Sequence, residues 1–64
     1  MSKYDWSNVP PEVNWIATDS DGDVFGYLEK PEIGVYMWFG SKSELLDLKP
    51  CLTHWKESLE ERPK

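Results

Sequence analysis

From Val13 to Phe39 the chain reads with a period of two. In Val13-Asn14-Trp15-Ile16-Ala17-Thr18, the residues Val13, Trp15 and Ala17 fall on one side of an extended segment, and Asn14, Ile16 and Thr18 fall on the other. Asp19-Ser20-Asp21-Gly22 is a turn signal, with Gly22 supplying the positive φ of a tight hairpin. Asp23 to Glu29 reads as the return strand, with Phe25 and Tyr27 on one face and Val24, Gly26 and Leu28 on the other. Lys30-Pro31-Glu32-Ile33-Gly34 is a second connection punctuated by Pro and Gly. Val35-Tyr36-Met37-Trp38-Phe39 then reads as a third strand, apolar on both faces and stopped by Gly40. The pattern predicts a three-stranded antiparallel meander.

After Gly40 the period changes. Ser41-Lys42-Ser43-Glu44 has the form of a capping box, and Leu45, Leu46 and Leu48 follow before Pro50, which limits any helix there to two turns. Beyond Pro50, Cys51, Leu52, Trp55 and Leu59 recur at helical spacing, with Lys56, Glu57, Glu60 and Glu61 opposite. This predicts a C-terminal helix of about three turns, closed by Pro63. Glu60 and Glu61 stand at the end where the helix dipole disfavours anions. At the other end, Val9-Pro10-Pro11 forbids a helix interior, so residues 1–12 read as an extended arm laid on the domain by Trp6 and Val9. The expected architecture is a small α+β fold: an arm over 1–12, then one domain over 13–64 in which a C-terminal helix packs on one face of a three-stranded β-meander.

Composition narrows the function classes. Sixty-four residues leave room for one core, which excludes a cofactor-binding fold or a two-lobed cleft. No cofactor is expected. No apolar run spans a bilayer, and Met1-Ser2-Lys3-Tyr4-Asp5-Trp6 lacks the apolar stretch of a signal peptide, so a cytosolic, membrane-free protein is expected. A net charge of -5 opposes direct nucleic-acid binding by phosphate neutralisation. Cys51, the sole cysteine, has no internal disulfide partner. Nine aromatics, four of them Trp, stand where small domains usually carry a disulfide or a metal, so most of them are expected in the core.

Candidate chemistry is sparse. Asp19, Asp21 and Asp23 surround Gly22, but an EF-hand loop needs Gly at its sixth position and Glu at its twelfth, and no register of this loop provides both. Cys51 and His54 lie three apart, without the oxyanion site or ligand number that catalysis or zinc would need. The chain reads as non-enzymatic, with no metal site. Two surfaces stay open. Carboxylates at Asp19, Asp21, Asp23, Glu44, Asp47, Glu57, Glu60 and Glu61 suit an acidic DNA-mimic or anti-restriction inhibitor, although Lys42, Lys49 and Lys56 interrupt them. Trp15, Phe25, Tyr27, Tyr36 and Trp38 suit an aromatic groove for a proline-rich peptide or a sugar. With Val9-Pro10-Pro11 and the Asp-Gly turn, this set resembles a WW domain in outline, departing from it at Phe25-Gly26-Tyr27 and after Trp38.

A fuller resemblance rests on three segments: Asp5-Trp6-Ser7 leading to Pro11, Asn14-Trp15-Ile16-Ala17-Thr18-Asp19-Ser20-Asp21-Gly22, and Trp55-Lys56-Glu57-Ser58-Leu59-Glu60-Glu61-Arg62-Pro63. Their order resembles a family of very small proteins encoded by tailed bacteriophages and prophages of enteric bacteria. Phe25 and Tyr27 match that family's aromatic second strand, and Trp38 matches the Trp near the end of its third. The resemblance implies an accessory protein made in the host cytoplasm, which acts by binding a host or phage protein. The expected contact surface is Tyr27, Tyr36 and Trp38, with Trp15 and Trp55 in the core. A homodimer through the same face is the close variant.

Overall fold

The computed structural model describes residues 3–51 and 53–63. Met1 and Ser2, which open the expected arm, and Leu52, placed on the expected helix, lie outside the described residues. The described chain forms β1 (Trp15–Thr18), β2 (Val24–Tyr27), β3 (Glu32–Ile33), β4 (Trp38–Phe39), β5 (Glu44–Leu46), a 3₁₀ turn (Trp55–Glu57) and β6 (Glu60–Glu61). A four-stranded antiparallel sheet has the order β5-β2-β1-β6, and β3 and β4 make a separate two-stranded hairpin.

This corrects the expected fold twice. The neighbour of β2 is β5, not the segment 35–39, and there is no C-terminal helix among the described residues. Both changes have the same cause. A two-stranded hairpin leaves backbone donors and acceptors unpaired along both outer edges, and those groups seek partners. Ser41 and Lys42 turn instead of capping a helix, with Lys42 at φ 56, and Glu44–Leu46 then pairs with the edge of β2. A helix of two turns cannot repay its nucleation cost. At the C-terminus the helix stops after one 3₁₀ turn, and Glu60–Glu61 pairs with Ile16 and Trp15 on the outer edge of β1. That placement also relieves the two carboxylates of an unfavourable helix end.

The β1–β2 hairpin stands where the alternation puts it. Its tip closes through Asp19 N–H to the Asp23 carbonyl (2.8 Å) and Gly22 N–H to the Asp19 carbonyl (3.0 Å), with Gly22 at φ 95, a conformation that other residues adopt only with strain. At its base the alternation breaks. Trp15 pairs with Tyr27, and Asn14 N–H also donates to the Tyr27 carbonyl (2.9 Å), so two successive residues face one, as in a β-bulge. The bulge reverses parity. Val13 therefore joins Ile16 instead of Trp15 and Ala17.

The two sheet faces make two small cores. On one, Val13, Ile16 and Val24 pack with Tyr4 and Val9, flanked by Trp6, Leu46, Leu48 and Cys51. Residues 3–12 reach that face through two tight turns, closed by Val9 N–H to the Trp6 carbonyl and Val13 N–H to the Pro10 carbonyl. The Trp6 indole N–H donates to Glu60 Oε1 (2.7 Å), and the Arg62 guanidinium lies 4.8 Å from the centre of the same ring. On the opposite face, Ala17, Tyr27 and Trp38 are buried together, with Trp15, Phe25, Trp55 and Leu59 half-buried around them.

Candidate functional site

The β3–β4 hairpin covers part of this second face, and its own outer side is left uncovered. Pro31 and Gly40 form its base, where a side chain on Gly40 would meet Pro31 Cα and Tyr27 Cδ1 at 3.3 Å each. Gly34 N–H donates to the Met37 carbonyl (2.7 Å), which leaves Val35 and Tyr36 at the tip. The Phe39 ring lies so close over Gly34 that a Cβ there would stand 3.0 Å from Phe39 Cε1.

Five hydrogen bonds hold the hairpin in place. Trp38 N–H donates to Asp19 Oδ1 (2.9 Å), and both the amide and the hydroxyl of Ser20 donate to the Tyr36 carbonyl. The Tyr27 hydroxyl donates to the Trp38 carbonyl (3.2 Å), and the Trp38 indole N–H donates to the Trp55 carbonyl (3.0 Å). Trp38 therefore faces inward, and its neighbours Met37 and Phe39, by the period of two, face out.

The result is an exposed apolar surface. Val35 and Tyr36 are each 75 % exposed, and Ile33, Met37 and Phe39 are about half exposed. The surface continues onto the main sheet: Met37 and Phe39 line a shallow hollow with Phe25, and Leu45, 65 % exposed, pairs with Phe25 across the β2–β5 ladder. Soluble domains rarely leave so large an apolar set in water without a use for it.

Of the three residues the sequence pointed to, only Tyr36 lies on this surface. Tyr27 is 1 % exposed and Trp38 is 8 % exposed, so both belong to the core. Burial pushes the Tyr27 phenol up to about 12, and the nearby Asp19 carboxylate adds to the shift. Trp15, Phe25, Tyr27 and Trp38 belong to one packed cluster, and Tyr36 lies outside it. Ile33, Val35, Met37, Phe39 and Leu45 were missed. For Val35, Met37 and Phe39 the signal was the segment 35–39 itself, apolar at every position: burying Trp38 obliges its alternate neighbours to face water; Ile33 and Leu45 carried no such signal.

The remaining candidates are engaged elsewhere. Cys51 Sγ contacts Thr53 Oγ1 (3.0 Å), whereas His54 Nδ1 accepts the Lys56 N–H (3.2 Å) and caps the 3₁₀ turn, so they form no Cys–His pair. Asp21 Oδ1 accepts the Asp23 N–H (3.1 Å). Asp19 is raised from its ordinary value by burial, against the lowering effect of the Trp38 N–H, with Asp21 and Asp23 raising it further. Glu60 is tied to Trp6 and, through Oε2, to Lys3 N–H (2.8 Å). Among the described residues no three His, Cys, Asp or Glu side chains gather as a metal site, and no helix is long and apolar enough to cross a membrane. No protein-family model, curated protein or solved structure matches the chain. Fold and surface together define a small two-sheet β domain with an exposed apolar hairpin.

Proposed function

We propose that this protein is a non-enzymatic binding module that docks a host or phage protein through the outer side of the β3–β4 hairpin. The observation that carries this reading is the exposure of Val35, Tyr36, Met37 and Phe39 on one hairpin pinned at its tip and at Trp38. A pinned hairpin presents its side chains with little ordering cost on binding. The resemblance of the segments around Asp5-Trp6-Ser7, Asn14–Gly22 and Trp55–Pro63 to small phage proteins supports a partner within an infected bacterial cell.

Affinity capture from such cells tests this with three chains: wild type, Tyr36→Asp, and Asn8→Asp on the segment packed against the other sheet face. Circular dichroism establishes that all three are folded. A protein retained by wild type and Asn8→Asp and lost with Tyr36→Asp is the expected result. Equal retention by all three removes the hairpin from the reading.

A further inference from the structure

We propose that the surface recognised by the hairpin is a protein face apolar at its centre and basic at its rim; this rests on the reading of the hairpin as a docking surface. The size of the patch suits a folded partner. At about 150–250 Å² for a large side chain, the exposed fractions leave on the order of 600–800 Å² of apolar residues in water, against about 800 Å² per partner in a standard interface.

The rim is acidic. Glu32 is exposed and pairs with Phe39 across the hairpin, so the two side chains share its outer face. Asp21 and Asp23 are exposed on the β1–β2 tip, which the Ser20–Tyr36 and Asp19–Trp38 bonds fasten to the hairpin. Lys30 and Lys56 are drawn over the rings of Trp15 and Trp55 at 5.7 and 5.8 Å, and the exposed Lys42, in the turn between Phe39 and Leu45, offsets one of the three carboxylates of Glu32, Asp21 and Asp23. A second copy of the chain would bring these carboxylates against one another on two bodies of charge -5 each, which disfavours self-docking. A basic rim on the partner removes that conflict and speeds encounter.

Two short peptides serve as probes, one alternating Leu and Lys and one alternating Leu and Glu, titrated into the isotopically labelled full chain by NMR. The Leu/Lys peptide is expected to shift the amides of Val35, Tyr36, Met37 and Phe39, and the Leu/Glu peptide to leave them unmoved. Tyr36→Asp discriminates patch from charge, because it removes apolar surface while adding an anion. It is expected to weaken Leu/Lys binding about tenfold, and Glu32→Gln about two- to fivefold. Tighter binding by Tyr36→Asp would show attraction by charge alone and overturn the proposal. Equal binding of the Leu/Glu peptide at the hairpin overturns the basic rim but leaves the docking surface standing. If neither peptide moves the hairpin amides, the docking surface falls as well. Sedimentation of the chain alone as a dimer, abolished by Tyr36→Asp, would identify a second copy as the occupant and refute the proposal.

Discussion

Replacing Ser58 by Ala tests how this domain closes its sheet. Ser58 is completely buried, and its hydroxyl stands at the edge of β1 where β6 has not yet begun. Ser58 Oγ accepts the Thr18 N–H (2.8 Å) and shares its proton between the carbonyls of Thr18 (3.1 Å) and Trp55 (2.7 Å). One side chain thus does for Thr18 what a strand partner does for Ile16. The Thr18 hydroxyl extends the network, meeting Tyr4 Oη at 2.7 Å and accepting the Cys51 N–H at 3.3 Å. Ser58→Ala removes one oxygen and leaves the Thr18 amide buried without a partner, at a cost of about 1–3 kcal/mol. A domain of this size rarely holds more than about 3–5 kcal/mol, so the variant should lose a large share of its stability. In urea the midpoint should fall by at least about one-fifth with an unchanged slope. On heating, Tm should drop by about 4–8 °C for each kcal/mol lost. Amide exchange at Thr18 should accelerate beyond the global change. A midpoint within error of wild type, with the Thr18 amide still protected, would refute the claim that this hydroxyl completes the sheet.

Trp6→Phe keeps a ring for Arg62 but removes the indole donor to Glu60, and should cost about 1–2 kcal/mol in urea melts; a loss below about 0.5 kcal/mol would show that the bond adds nothing over solvent. Gly26→Ala would place a Cβ 2.8 Å from Val13 Cγ1 and 3.0 Å from Leu46 Cδ1, so an overpacking loss of about 1–3 kcal/mol is expected. An unchanged melt would mean that the bulge lets Val13 move aside. The Tyr27 phenol ionises at about 12 in the fold and near its ordinary 10.0 when unfolded. From pH 10 to 12 the unfolded chain therefore binds fewer protons, and stability should fall as pH rises through that window, by up to about 1.4 kcal/mol per pH unit from this group. Urea midpoints at about pH 9 and about pH 11 check this, and Tyr27→Phe should flatten the fall; an equally steep fall in that variant would assign the effect elsewhere.

The β1–β2 hairpin was legible because its causes are local. Alternation over Trp15–Thr18 and Val24–Tyr27 and an Asp-Gly turn act within a dozen residues, and no other part of the chain is needed to read them. The bulge at Asn14 and Trp15 was not legible, since it carries no Gly or Pro and shows only as the move of Val13 to the other face. The exposed apolar surface was half legible. A segment apolar at every position announces that some of it must face water, but alternation alone cannot say which half.

What the sequence by itself determined, then, is the first hairpin and the aromatic supply that fills the cores. Tertiary structure decided which segments fill the open edges of that hairpin, because edge pairing depends on what can reach the edge rather than on local preference. Leu45 and Leu46, spaced as if for a helix, became a strand beside β2, and Glu60 and Glu61 became a strand beside β1. The same decision displaced residues 35–39 from the sheet into a second hairpin, turned Trp38 onto Tyr27 and Ala17, and left Val35, Tyr36, Met37 and Phe39 facing outward. Which rings belong to the core and which face outward was settled by that competition for edges, a long-range event that no window of sequence contains.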